Sequence, residues 1–357
     1  MLYTKRVSLA GVATGALIAA MSGTAYAQSS DYYSRDKYEA VTDRRQPEYD
    51  PEPIRLGAFT VNSSLFAGLG YTDNALGTSD NEESDVIARI GADIAARTNW
   101  SVHEVAASVS VSRDEYQDFS DQSANDVNTR LRGRLDVTRD VALGGAVFYQ
   151  QSTDQRSDAS NTSGLGTPID QDFRDRSDTL FNSRLSYAIS PNVAVFGQGM
   201  IQQREYDNLI VVDGAERSRD SDSYTVYGGV DFELNTLIRG DVAIGYLSEE
   251  KDDTFYEDTD GLAVDANVEW FPTRLTTVSF NGARRTVDSG IRTSASSIQT
   301  TLGARVDHEL YRNIILSGYG ELTSYEYDET DRDDDITEFG VIGTYKMNKR
   351  VHLNAFA

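Results

Sequence analysis

Residues 86–97 read Val-Ile-Ala-Arg-Ile-Gly-Ala-Asp-Ile-Ala-Ala-Arg. Val86, Ala88, Ile90, Ala92, Ile94 and Ala96 alternate with Ile87, Arg89, Gly91, Asp93, Ala95 and Arg97. A period of two sends successive side chains to opposite faces of a strand, so one face is apolar and the other carries Arg, Asp and Arg. The pattern recurs at Leu131, Gly133, Leu135 and Val137 against Arg130, Arg132, Arg134 and Asp136. It recurs again at Tyr224, Val226, Gly228, Val230, Phe232 and Leu234 against Thr225, Tyr227, Gly229, Asp231 and Glu233. Further on, Ile298, Thr300, Leu302, Ala304 and Val306 alternate with Gln299, Thr301, Gly303, Arg305 and Asp307.

Working outward, 14 complete strands can be read near 57–72, 85–98, 101–113, 126–138, 141–152, 178–190, 192–205, 222–234, 238–249, 261–271, 274–285, 296–309, 313–325 and 337–348. A fifteenth begins at Val351. Short turns near Asn99, Arg139, Pro191, Asn235, Pro272, Tyr311 and Asn348 alternate with longer acidic segments at 73–85, 113–127, 152–178, 205–222, 249–260, 285–296 and 325–336. Those seven segments hold 37 acidic and 10 basic residues, a net of −27, against −24 for the whole 357-residue chain. The charge therefore belongs to one set of loops. Short turns on one side and long polar loops on the other are the pattern of a strand-built membrane wall.

Other features agree. All six prolines lie at 47, 51, 53, 168, 191 and 272, in the N-terminal extension, a long loop or turns. None interrupts a strand, where a missing N–H would break the ladder. Trp100 and Trp270 adjoin short turns, the place of an interfacial aromatic girdle. A soluble β-sandwich would account for the alternation but not for the sorting of charge, loop length and Trp onto two ends. The fold expected is all-β, an antiparallel transmembrane β-barrel. Bacterial single-chain barrels have an even strand number and both termini on the short-turn side. The odd count therefore predicts 16 strands natively and a chain truncated at its C-terminus, unless two early strands are miscounted.

Lys5 and Arg6, the apolar run Val7 to Ala20 and the small-x-small Ala25-Tyr26-Ala27 form an export signal over residues 1–27. Residues 28–53, polar and Pro-containing, read as a flexible periplasmic extension, and 54–357 as the barrel. With no cysteine, the chain has no disulfide, no thiolate metal site and no Cys nucleophile. A pI near 4.4 argues against nucleic acid as a partner. The three histidines, His103, His308 and His352, lie in separate hairpins without metal-ligand spacing. No G-x-S-x-G or phosphate-binding Gly-rich loop is present. The reading is non-enzymatic, with no cofactor and no metal. The run Asp331-Arg332-Asp333-Asp334-Asp335 lacks an EF-hand pattern and reads as a solvated charge run. Arg239-Gly240-Asp241 sits at a short turn and reads as incidental.

The more specific chemistry is on the inward face. Arg89, Arg97, Arg130, Arg132, Arg134, Asp136, Arg184, Asp231, Glu233, Arg305 and Asp307 oppose the apolar positions and are the candidate pore lining. An arginine on the lipid face near the midplane would cost about 2–4 kcal/mol, so these side chains belong to the lumen. Two readings stay open: a water-filled path for hydrophilic solutes, or cross-bracing of a plugged barrel. The longest segment, 152–178, carries Gly164, Leu165 and Gly166 and is the candidate constriction loop.

One stretch has a recognisable likeness. Pro53-Ile-Arg55-Leu-Gly57-Ala-Phe59-Thr-Val61-Asn-Ser-Ser-Leu65, continuing to Gly70-Tyr71-Thr-Asp73-Asn74, resembles the opening strand of the putative beta-barrel porin 2 family. Ser84-Asp85-Val-Ile and Arg97-Thr-Asn99-Trp100 resemble its second strand and first turn. The likeness runs over 53–357, with the specific match in its first 50 or so residues. It implies a barrel in the bacterial (Gram-negative) outer membrane, often associated with exopolysaccharide secretion, and carries over no catalytic residue. It also implies a further hairpin beyond Phe356-Ala357. The expected partners are outer-membrane lipid and lipopolysaccharide, the barrel-assembly machinery, and polysaccharide or its export machinery. The function expected is a channel for hydrophilic solutes associated with exopolysaccharide export; the alternative is a structural or adhesive surface barrel without an open pore.

Overall fold

The computed structural model describes residues 39–76, 82–154, 174–235, 237–289, 291, 294–327 and 333–357. The export signal and Gly164, Leu165 and Gly166 lie outside them. In chain order the strands are β1 (Ile54–Leu56), β2 (Phe59–Thr72), β3 (Asp85–Thr98), β4 (Glu104–Tyr116), β5 (Ala124–Asp136), β6 (Val141–Asp154), β7 (Arg174–Ser190) and β8 (Val193–Tyr206). A separate hairpin follows, β9 (Ile210–Val212) and β10 (Ala215–Arg217). Then come β11 (Ser221–Leu234), β12 (Ile238–Lys251), β13 (Thr259–Thr273), β14 (Thr276–Asp288), β15 (Ser296–Tyr311), β16 (Ile314–Tyr327), β17 (Asp333–Lys346) and β18 (His352–Phe356).

Apart from the β9–β10 hairpin these form one 16-stranded antiparallel sheet in sequential order, with β8 paired to β11. The fourteen strands of 13 to 17 residues are those legible in the alternation. β18 is the short fifteenth. The sixteenth is β1, which folds back on Phe59–Val61 through a turn at Gly57, whose φ of 60° favours glycine. The first and last strands are not paired with each other. β16 and β17 reach Tyr327 and start at Asp333, so part of the acidic run expected as a loop at 325–336 lies on strands.

The two faces differ as the period requires. Leu65 is 87% exposed and Val226 66%, with Ile90, Ile244, Leu302 and Phe339 also exposed on the same face. Along β11, Val230 is 39% exposed while the adjacent Asp231, on the other face, is 2% exposed. A broad apolar outer surface over polar burial inverts the arrangement of a water-soluble sheet, and it matches hydrocarbon outside. Outward aromatics form two bands. Tyr71, Tyr149, Tyr224 and Tyr246 stand at the long-loop ends; Phe59, Tyr187, Trp270, Tyr311 and Tyr345 stand near short turns, where Trp100 also lies. Tyr149 pairs with Thr179, and Tyr187 follows eight residues along β7. Eight residues span about 26 Å of strand, or roughly 20 Å along the membrane normal at a tilt of about 40°, so the two rings sit just inside the edges of a ~25 Å apolar band.

Cross-strand aromatic–glycine pairs close the inner surface. Phe66 faces Gly91, Phe196 faces Gly229 and Tyr319 faces Gly340. A Cβ on Gly229 would lie 2.3 Å from the Phe196 ring, whereas nothing lies within 4 Å of one on Gly228. Gly229→Ala should therefore lower stability by about 1–3 kcal/mol through overpacking, with Gly228→Ala near neutral. Urea midpoints of the refolded protein in detergent measure the difference.

Candidate functional site

Register and parity put every candidate pore-lining residue on the inner face. Arg130, Arg132, Arg134 and Asp136 form a column along β5, spaced about 6.6–6.8 Å by the two-residue repeat. Arg130 lies over the Phe148 ring at 4.8 Å, its cross-strand partner on β6. Arg132 reaches diagonally to Glu104 at 2.8 Å, and Arg134 pairs with Asp136 at 2.9 Å. On β3, Arg89 forms a two-pronged ion pair with Asp114, directly opposite on β4. Arg97 is exposed near the short-turn end of the same strand. On β15, Arg305 pairs with Asp307 at 2.9 Å and also donates to Ser317.

Arg184 and Asp231 show what linear reading cannot. They sit on β7 and β11, with β8 between them. The guanidinium crosses β8 by stacking 3.3 Å from the Phe196 ring centroid, donates to Asp231, and contacts Gln198 at 3.4 Å. Arg184 is 6% exposed and Asp231 2%. Glu233 faces Arg239 across the β11–β12 ladder, while Arg239 donates to Glu269 on β13.

Parity applied to β12 and β13 adds inner-face residues not singled out above. Asp241 pairs across from Asp231, and Asp265 and Glu269 stand on β13. Arg239 and Asp241, set aside in the sequence as an incidental tripeptide, are part of the lining. The inner face thus has interleaved, ion-paired arginines and acids on β3 to β7 and a net acidic patch on β11 to β13.

At the long-loop end, described loops pack together. Ile210 and Val212 of the β9–β10 hairpin cluster with Tyr256 and Ala295, with Phe255 alongside. Arg219 is buried and donates to the carbonyls of Ser289, Ile291 and Ser294. Arg217 pairs with Asp253 at 3.2 Å. The candidate constriction Gly164, Leu165 and Gly166 lies outside the described residues. The hairpin had a readable signal: Asp213-Gly214 with positive φ at both residues is the two-residue turn that Asp-Gly favours.

At the opposite end, residues of the 28–53 extension reach the inner wall. Val41 N–H donates to Thr277 Oγ1 at 3.0 Å, and Arg44 pairs with Glu309 at 2.9 Å. Asp50 pairs with Lys346 at 2.8 Å. Burial pushes the Asp50 carboxyl up, but the Lys346 hydrogen bond and charge outweigh this and hold it below its usual value. This contact is therefore complete above the ordinary Asp range and is lost as pH falls through the lowered value.

A continuous antiparallel sheet with an apolar outer face, two aromatic bands and a polar, ion-paired inner face defines an outer-membrane β-barrel wall of the porin type. The chain belongs to the family described as putative beta-barrel porin 2, whose model matches residues 46–165 and 158–357. Its location is the bacterial outer membrane. A search of curated proteins finds no match. Among solved structures, the ferric-catecholate import receptor Fiu from E. coli K12 aligns at 8% identity over 85% of this chain and 66% of its own, with a TM-score of 0.38. The copper transporter OprC aligns at 11% identity over 88% and 63%, TM-score 0.40. CdiB from Acinetobacter baumannii aligns at 10% identity over 78% and 59%, TM-score 0.44. The chain spans less than two thirds of the length of each.

Breaking the buried pair should matter far more than breaking a solvated one. Arg184→Ala leaves Asp231 charged, buried and unpaired, at a cost of about 3–5 kcal/mol. Lys349→Ala, which breaks the exposed pair with Glu52 outside the strands, should leave stability almost unchanged. Equilibrium unfolding of the two variants in detergent separates the cases.

Proposed function

We propose that this protein is an outer-membrane channel for hydrophilic solutes, with surface polysaccharide as the favoured cargo. The observation that carries the reading is the inner face, which holds charged or hydroxyl-bearing side chains on most strands, interrupted by the apolar cluster around Phe196. Such a surface is costly unless it meets water or paired charges. The arrangement of charge supports it further. Arg89 and Arg97 on β3 stand eight positions along the sixteen-strand order from Asp265 and Glu269 on β13. In a closed ring, eight of sixteen is the opposite wall. Arg89 and Arg97 share their face with Asp85 and Asp93, and Arg89 is paired with Asp114, so this wall is ion-paired and near charge balance opposite a net acidic one. Both walls offer hydrogen-bonding partners to polar solutes.

Polysaccharide fits as cargo because sugar hydroxyls exchange hydrogen bonds with such a lining at little net cost. The family's link to exopolysaccharide secretion points the same way. Export machinery would meet the barrel on its short-turn side, and lipid and lipopolysaccharide would surround the apolar face. Insertion would depend on the barrel-assembly machinery. The reading is non-enzymatic: His103 accepts from the Asp136 N–H, His308 contacts Thr276, and His352 contacts the Tyr49 carbonyl, so each is engaged separately in structure.

A second reading, a braced surface barrel without an open path, draws on a different observation. Phe196, Tyr227, Ala243, Leu247 and Ala263 pack with Met200 on the inner face beside the Arg184–Asp231 pair. Planar-bilayer recording separates the two. The channel reading predicts discrete conductance steps, and replacing Arg130, Arg132 and Arg134 by Ser should shift ion selectivity toward cations. A folded, inserted protein without conductance would favour the braced barrel and overturn the channel.

A further inference from the structure

The extension enters the barrel rather than hanging from it. Ala40 is 4% exposed and Val41 0%, packed where Thr277, itself 1% exposed, accepts the Val41 N–H. Thr277 has the inner-face parity of β14, one residue from the start of that strand at the short-turn end. From there the chain makes two tight turns, in which Arg44 N–H donates to the Ala40 carbonyl and Asp50 N–H to the Gln46 carbonyl. Its anchors step around the wall: Arg44 on Glu309 of β15, Asp50 on Lys346 of β17, and the Tyr49 carbonyl on His352 of β18. Glu52 then meets Lys349 in the last turn, and two residues later β1 begins. Glu309, Lys346 and His352 are all inner-face residues within a few positions of short turns. The path therefore lies inside the wall, across its short-turn mouth.

The character of the contacts differs from that of the wall. Up to Ile54 the segment pairs with no strand among the described residues. Its buried apolar part consists of two small side chains, and its own anchoring ions are partly solvated, Arg44 28% exposed and Asp50 25%, against wall partners Glu309 at 8% and Lys346 at 11%, while the Lys349–Glu52 pair is exposed on both sides. Partly exposed ion pairs contribute little each and weaken with salt. The wall is held by continuous backbone ladders. A segment with few buried contacts opens at much lower free energy than the scaffold that carries it.

We propose that residues 39–53 are a detachable inner strap, seated across the short-turn mouth and released by breaking its ionic anchors while the barrel stays folded. This goes beyond the channel reading and rests on it only for the effect on permeation. Seated, the strap narrows the mouth; released, it leaves the mouth wider.

The chain supplies its own reporters. Arg44-Arg45 is a tryptic site within the strap. The absence of native cysteine makes an engineered disulfide unambiguous. The 3.0 Å contact between Val41 N and Thr277 Oγ1 places their Cα atoms within about 7 Å, the upper limit for a bridge. In the full chain refolded into lipid vesicles, the double variant Glu309→Gln, Lys346→Met should be cleaved after Arg45 at least tenfold faster than wild type. Oxidised Val41→Cys, Thr277→Cys should resist cleavage until reduced. In planar bilayers the released variant should show larger conductance and the oxidised one smaller, with reduction reversing the latter. Cleavage equal to wild type in the anchor variant, with the wall intact by heat-modifiable mobility, overturns the strap. Current unchanged by both locking and release overturns its narrowing of the mouth. Absence of current in every variant removes the channel reading alone, and the cleavage rates still decide whether the strap is real.

Discussion

The constraint on which the structure depends is that hydrocarbon offers no partner to a backbone N–H or C=O. Each unsatisfied group costs several kcal/mol there, so a chain that crosses by strands must pair them side by side. The sequential antiparallel order follows, because hairpins are the shortest way to supply the next strand. The period of two follows as well, because a one-layer wall has one face toward lipid and one away from it. The aromatic–glycine pairs serve the same ladder, and Pro272, expected in a turn, sits instead in the last residues of β13 at the register shift between Trp270 and Thr273, where the ladder tolerates it.

Once the wall is fixed, most charged side chains along the strands go to the inner face; Arg113 and Arg284 are outer-face exceptions, each paired with an acid, Glu115 and Glu326. Arginines that would be costly in lipid line the inner face and meet acids within reach, along a strand as Arg305 and Asp307 do, or across two ladders as Arg184 and Asp231 do. The network has two consequences. It braces the wall locally, and it leaves β3 to β7 near charge balance beside a net acidic patch on β11 to β13. Charge balance of an interior is a property of the whole sheet and not of any single residue.

Much of this was legible in the sequence, and the reason is physical. Parity is a local property, so Val86 to Arg97 alone assigns both faces of β3, and the same reading gave the fourteen long strands to within a few residues. The inner placement of all the candidate arginines and acids follows from the same rule. What was not legible depends on distance in space. No spacing relates residue 184 to residue 231, since the link runs over Phe196 on an intervening strand. The packing of Arg219 on the carbonyls of Ser289, Ile291 and Ser294 and of Val41 on Thr277 joins segments separated by tens to hundreds of residues. Asp241 and Asp265 follow from the parity rule as well, since both have the inner-face parity of β12 and β13. The outer tyrosine band was equally readable, since Tyr71, Tyr149, Tyr224 and Tyr246 all share the lipid-facing parity.

The central claim, that alternate residues of one strand face lipid and an aqueous interior, is open to direct measurement because the chain contains no cysteine. Single cysteines placed in turn at positions 224–233 of β11, in the protein inserted into vesicles, can be reacted with a water-soluble maleimide and with a lipid-confined quencher. The account predicts a two-residue alternation: quenching at 224, 226, 228, 230 and 232 and none at the odd positions, with aqueous labelling fast at 225 and 233 and slowed at 227, 229 and 231 by packing around Phe196 and Arg184. Labelling that is uniform along the strand, or that follows a different period, would contradict it.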